Sequence, residues 1–443
     1  MKQLGRMLWL MSCGCVLVGS NLLGAEVWTL ERALAQALAN NPDARLARHR
    51  IAAAEAGLEE ANAAFWPRLQ FQSSYTRTDN PMMVFGDILN QRAYSPTLDF
   101  NDVPDVDDLN ARGLVTVPLY AGGRNRSGRA AAKANSEASK QDSEAVRNAL
   151  GFEVSRAFLT VLKTREFIRA AEASVSAYET NVAIARKRLA GGALLKADVL
   201  DLQVRMAQAR EDLVRARNGE ELANRVLRNL LGIETGEFVI GDSAPVVAAP
   251  NSRDFSGRPE LAAAEQRERA AEEQVRGAKA GYVPRVSAFG SLDYDYGWKF
   301  DHGAGSYTAG ALLQWDIWDG KRTRAKVREA VANADSAREE QRKVRLALDL
   351  ELQRAQLDLK AADERLEVTG QAVAEAAESA SLARARFEQG KALATQLMDA
   401  ESALVGARVR RAEAEADQRI AIAALRKALA LPQLDSQAVS KSK

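Results

Sequence analysis

Along a 443-residue chain, four short stretches alternate apolar and polar residues with a period of two. Leu69, Phe71, Ser73 and Tyr75 alternate with Arg68, Gln70, Gln72 and Ser74, and Val115, Val117 and Leu119 with Leu114, Thr116 and Pro118. Farther on, Val286, Ala288, Gly290, Leu292 and Tyr294 alternate with Ser287, Phe289, Ser291 and Asp293. The last such run sets Tyr307, Ala309, Ala311, Leu313, Trp315 and Ile317 against Thr308, Gly310, Gln314 and Asp316. This period predicts β-strands with one apolar and one polar face. Each run is about the ten residues that a tilted strand needs to cross a bilayer. Tyr120, Tyr282, Trp315 and Trp318 fall at or near strand ends, where interfacial aromatics belong. A soluble sandwich is the alternative, but four strands among so much helix leave too little sheet for it.

The rest of the pattern is helical. The stretches from Gly122 to Ala190 and from Gly320 to Gln389 contain no proline. At 1.5 Å per residue, near 70 residues make a rod of roughly 100 Å. Each rod is followed by a tight turn, Gly191-Gly192-Ala193 or Gly390-Lys391-Ala392, and by a returning helix. Such αα-hairpins pack as coiled coils, and small Ala faces permit close neighbours. The link from Thr78 to Asn110 carries Pro81, Pro96 and Pro104 and reads as a long surface loop; its counterpart, Trp298 to Ser306, is short and Gly-rich.

The same order of elements is written twice. Asn41-Pro42 opens a helical stretch that ends at Pro67-Arg68, and Arg258-Pro259 opens one that ends at Pro284-Arg285, with equal spacing between the prolines. Leu119-Tyr120-Ala121-Gly122-Gly123-Arg124 matches Ile317-Trp318-Asp319-Gly320-Lys321-Arg322. The offset that carries Gly122 onto Gly320 then places Arg188-Leu189 on Arg386-Phe387, Gly192 on Gly390, Asp201 on Asp399 and Leu227 on Leu425. We therefore divide the chain into a first repeat over 26–235, a linker over 236–257, a second repeat over 258–432 and a polar tail over 433–443.

Residues 1–25 read as a secretory signal: Lys2 and Arg6, an apolar run from Met7 to Val18, and a small-residue cleavage site at Ala25. The chain's only cysteines, Cys13 and Cys15, lie inside it. Cleavage after Ala25 leaves a cysteine-free mature chain; the other reading makes one of them a lipidated first residue. No later stretch is apolar enough for a spanning helix, so the chain is either periplasmic or crosses the outer membrane as strands. With 61 Lys+Arg against 59 Asp+Glu the formal net charge is +2, without the basic excess of a nucleic-acid binder. His49 and His302 stand apart, so no metal set, cofactor site or catalytic constellation is expected and the chain reads as a non-enzyme.

Four strands cannot close a barrel, and open sheet edges are not tolerated in lipid. Closure needs at least ~8 strands, hence several copies, and the strand count alone leaves dimer, trimer and tetramer open. The paired prolines, the Gly-Gly/Gly-Lys strand ends and the hairpin return Gly192…Asp198-Val199-Leu200-Asp201 resemble the TolC-like outer-membrane efflux protein family over nearly all of residues 28–432. The resemblance implies an α+β membrane protein, internally duplicated: a homotrimer with a twelve-stranded barrel in outer-membrane lipid and a helical periplasmic tunnel. It implies an exit channel of a tripartite efflux or secretion system, docked to a periplasmic adaptor and an inner-membrane pump. The other functional class considered, a non-channel periplasmic scaffold or adaptor, leaves the alternating strands unexplained.

In the family, second-repeat tips converge at the periplasmic mouth, where a paired-acid element forms two acidic rings. Here Asp399 keeps the later acid and Gln396 replaces the earlier one, while Asp198 and Asp201 carry both acids in the first repeat. The plainer reading of these carboxylates is that they sit in a first helical turn and suit the helix dipole. Gly192 and Gly390 are expected to make the reversals. The resemblance adds adaptor docking near these tips, with Leu194, Leu195, Lys391 and Leu393 as candidates. Ala392, with Lys391 beside it, stands where some relatives carry a locking arginine.

Overall fold

The computed structural model describes residues 27–99, 101–234 and 238–434. The expected signal segment, with Cys13 and Cys15, and most of the expected tail lie outside them. In chain order the elements are β1 (Val27–Trp28), α1 (Leu30–Asn40), α2 (Pro42–Ala63), β2 (Arg68–Thr78), α3 (Pro81–Asn90), β3 (Val106–Tyr120), α4 (Arg124–Ala190) and α5 (Lys196–Leu230). There follow β4 (Val239–Ile240), α6 (Pro259–Lys279), β5 (Arg285–Gly297), β6 (His302–Gln314), α7 (Arg322–Glu388) and α8 (Ala394–Ala428). The duplication is visible in the hairpins: α4 and α7 have 67 residues each, α5 and α8 have 35 each. No helix among the described residues is long and apolar enough to cross a membrane.

β2, β3, β5 and β6 form one antiparallel sheet in that order. Its register sorts the side chains cleanly. One face carries the row Gln72, Arg112, Asp293 and Ser306. There Arg112 pairs with Asp293, the Ser291 hydroxyl donates to Asp293 at 2.8 Å and the Asn110 amide to Asp295 at 2.7 Å. The other face carries Phe71, Gly113, Leu292 and Tyr307 in one row and Leu69, Val115, Gly290 and Ala309 in the next. On that face Phe71 is 77 %, Leu292 71 % and Tyr307 80 % exposed, so the apolar side of the sheet is bare in the single chain. A two-faced sheet of this kind suits lipid on one side and water on the other. β2 and β6 are its two edges, each with a free row of backbone donors and acceptors among the described residues.

The strands differ in extent from the sequence reading. The presumed loop from Thr78 to Asn110 contains α3, and β3 begins at Val106. The cause of α3 is local: Asn80 caps it, accepting from the Met82 N–H at 3.1 Å, and Pro81 takes the first helical position. The Gly-rich loop is also shorter than expected, because β6 starts at His302 opposite Gly297, and β6 ends at Gln314, before Trp315 and Ile317. The Trp315 indole instead donates to the Tyr282 carbonyl at 3.1 Å.

Below the sheet the hairpins are bound together midway along their length. Leu30, Leu150, Val154, Phe158, Leu227 and Ile240 form a core of the first repeat there, Ile420 of α8 packs against it, and the expected linker contributes β4, which pairs in parallel with β1. Nearby, Arg258 is almost wholly buried at the start of α6. Its guanidinium grips Glu260 at 2.7 and 2.8 Å, Glu351 of α7 at 3.0 Å and the Lys427 carbonyl of α8 at 3.0 Å. Burial alone would raise the Glu351 carboxyl, but Lys427 and Arg258 outweigh it and hold it below its ordinary value of 4.5. A depressed carboxylate stabilises the fold above that value and loses its contribution as pH falls through the lower folded one. Arg258→Ala should cost about 1.5–3 kcal/mol, since it removes charge-assisted hydrogen bonds to Glu260 and Glu351, whose side chains are 29 % and 32 % exposed, and to the Lys427 carbonyl. Thermal melts in detergent should show a lower midpoint at neutral pH and a gap from the parent that narrows below pH ~4.5; equal melting of both proteins would remove this network from the account.

Candidate functional site

The two hairpin tips, at the end of the molecule remote from the sheet, are built alike. Gly191 caps the end of α4, and Gly192 takes φ +73°, a left-handed conformation that a side chain would strain. The Ala193 N–H then closes on the Arg188 carbonyl at 2.8 Å. In the second tip Gly390 takes φ +77° and the Lys391 N–H closes on the Arg386 carbonyl at 2.8 Å. Both returning helices lack a capping side chain at their N-cap leucine and recruit the third helical residue instead. Asp198 accepts the Leu195 N–H at 3.3 Å, and Gln396 accepts the Leu393 N–H at 3.3 Å. An amide oxygen does this as well as a carboxylate, which explains how Gln396 stands where Asp198 stands in the first repeat.

Asp201 and Asp399, one turn further along, are different. Both are solvent-exposed, and neither carboxylate has a hydrogen bond or ion pair among the described residues. Leu195 is 72 % and Leu393 68 % exposed beside the turns, and Lys391 is exposed as well. Leu194 instead packs into the core that joins the tips, with Tyr178, Val199, Leu202, Phe387, Leu397 and Met398.

That joint core is accompanied by polar ties absent from the sequence reading. Arg188 of α4 donates to the Phe387 carbonyl of α7 at 2.8 Å, sits 4.9 Å from the centre of its ring, and donates to the Ala193 carbonyl of its own turn at 3.2 Å. Glu401 of α8 is buried and receives Arg384 of α7 at 2.5 Å and the Asn181 amide of α4 at 3.4 Å. The Tyr178 hydroxyl, raised above its ordinary value by burial, lies 3.5 Å from the Met398 carbonyl. The second hairpin is thus latched to the first through α4. Arg188 had one signal in the sequence, its alignment with Arg386 across the repeats. Glu401 had none, because a carboxylate in an Ala-rich helix reads the same whether solvated or paired. No group of acidic, His or Cys side chains among the described residues has the arrangement of a metal site.

Comparison with known proteins gives this architecture its family. The model of the outer membrane efflux protein family matches residues 33–233 and 255–431. The chain is 29 % identical over 211 residues to the outer membrane protein OprJ of Pseudomonas aeruginosa, an alignment covering 45 % of this chain and 44 % of OprJ, less than half its length. It is 26 % identical to the cobalt-zinc-cadmium resistance protein CzcC of Cupriavidus metallidurans, over 67 % of this chain and 71 % of that one. Among solved structures, the outer-membrane channel OprN superposes with a TM-score of 0.79 at 23 % identity, covering 90 % of this chain and 89 % of OprN. The outer membrane protein VceC of Vibrio cholerae superposes with a TM-score of 0.79 at 20 % identity, covering 91 % of this chain and 97 % of VceC. With its two-faced sheet, duplicated hairpins and latched tips, the chain belongs to the outer membrane efflux protein family.

Proposed function

We propose that this chain is the outer-membrane exit channel of a tripartite efflux system, working as a homotrimer docked to a periplasmic adaptor and an inner-membrane pump. The observation that carries the reading is the sheet: an exposed apolar face, a hydrogen-bonded polar face and two unpaired edges. Such a sheet is stable in a bilayer only when copies close it into a barrel around an aqueous lumen. Three copies supply twelve strands, enough to leave that lumen open. The helices then run about 100 Å into the periplasm. Their flanks fit the same ring, since α5 exposes Leu200, Val204, Leu222 and Val226, and α7 exposes Leu346, Leu350, Leu357 and Val368. Placed side by side around a threefold axis, these stripes bury one another as coiled-coil seams. A free-standing scaffold would leave both the stripes and the apolar sheet face in water.

In this reading the tips form the periplasmic mouth. Leu195, Lys391 and Leu393 offer an exposed surface for the adaptor, while Gly192 and Gly390 shape the turns and Leu194 belongs to the latch. Threefold symmetry makes Asp399 a ring of three carboxylates. Like charges brought together attract cations. Asp198 and Gln396 serve their own helices as caps, and Asp201 flanks the mouth.

Two measurements in planar bilayers test this. Arg188→Ala removes a charged hydrogen bond worth about 1.5–3 kcal/mol from each copy of the latch. The open fraction should therefore rise at least about tenfold, and a closed channel identical to the parent would show that the latch lies elsewhere. Asp399→Asn should weaken cation preference and divalent block, with Asp201→Asn doing less. The melting point should stay nearly constant, since an exposed first-turn carboxylate contributes only ~0.3–1 kcal/mol. Unchanged selectivity combined with lower helix stability would reduce Asp399 to a helix-dipole partner.

A further inference from the structure

The helix α3 lies where a loop was expected, and its position is set by the sheet. Val84 and Ile88 pack against Val106 and Phe300, and the fully buried Gln91 amide donates to the Asp107 carbonyl at 2.8 Å and to the Asp108 carboxylate at 3.0 Å. Gln91 also rests on Gly297, where a Cβ would collide with its amide. By register, Val106 and Asp108 share the polar face with Asn110, Arg112, Asp293 and Asp295. The helix is therefore folded inward across the polar face of the sheet, at the end opposite the hairpins, and not outward over the rim.

Helical geometry then fixes what α3 presents to the space enclosed by the sheet. At 100° per residue, Val84, Ile88 and Gln91 form the seated face, and Met82, Gly86 and Leu89 lie opposite with the exposed Asn90 beside them. Met82 is 79 % exposed and Leu89 45 %, with Met83 at 48 % and Phe85 at 41 % on the two flanks. An exposed apolar edge on a helix held inside a polar-lined space is the reverse of the usual pattern, in which an amphipathic helix turns its polar side to water.

We propose that α3 is an apolar collar at the extracellular exit, setting its width and passing apolar or amphiphilic cargo more readily than hydrated solutes. The inference rests on the channel reading, because only a closed ring brings the copies of α3 around one opening. A constriction lined by apolar side chains resists wetting and so opposes hydrated solutes. Methionine, unbranched and polarisable, adapts to apolar surfaces of many shapes. Met82 and Leu89 are then the residues that decide what leaves, at the opposite end from the latch.

The collar can be tested from outside the cell, without reference to the periplasmic tips. The described residues contain no cysteine, so Ser287→Cys places a single thiol on the polar face of β5, near its periplasmic end. Whole cells are treated with a hydrophilic, membrane-impermeant maleimide. Met82→Ser with Leu89→Ser, which leaves the seated face untouched, should speed labelling at 287 by at least about fivefold. Replacing residues 81–90 by a Gly-Ser linker should speed it further, while a Thr97→Cys control on the outer loop labels equally in all backgrounds. Equal rates at 287 with and without the collar overturn the collar alone. Labelling at Thr97→Cys but never at Ser287→Cys, even without α3, means that no lumen lies behind that face and overturns the channel reading with it.

Discussion

A β-strand in lipid must pair on both sides, because nothing in a hydrocarbon core can satisfy its backbone. Among its described residues this chain supplies a sheet of four paired strands and leaves two edges open. Much of the remaining structure follows from that. In the proposed channel the apolar face of the sheet meets lipid, the polar face meets water, and the edges meet copies of the same chain. In that reading the helices share the symmetry: they are long, side by side and apolar on flanks that a neighbouring copy would cover.

The two ends of the molecule solve different problems with different chemistry. At the sheet end α3 is seated by one buried glutamine and a small apolar cluster. At the tip end the second hairpin is held by a larger core with Arg188 and the Glu401 pair across it. In the proposed channel, ties of this second kind suit a joint that opens. Each is a charge or hydrogen bond whose partner can be replaced by water, whereas the apolar cores, at the tips as midway down the hairpins, have no such replacement.

Much of this was legible from residue order. Period-two alternation located the four strands, and the glycine at each reversal marked both tips. The prolines and glycines shared by the two halves showed the duplication, which apolar matches alone could not do in Ala-rich helices. What escaped detection shares a physical cause. Asn80-Pro81 is the same helix-opening signal as Asn41-Pro42, but in a stretch with several prolines it read as one more turn. Arg258, Glu401 and Arg384 looked like any solvated charge, because each has a partner on another helix: Glu351 lies 93 positions from Arg258, and Arg384 faces Glu401 across the α7–α8 turn. The capping roles of Asp198 and Gln396 depend on a leucine at the N-cap of each returning helix, a choice that residue preferences argue against.

The central claim is that the open sheet is completed by other copies of this chain. Native mass measurement of the protein extracted from outer membranes in mild detergent tests it most directly. The account predicts one species with three copies per particle, which separates into single chains only on heating. A stable, detergent-free single chain in solution would contradict it.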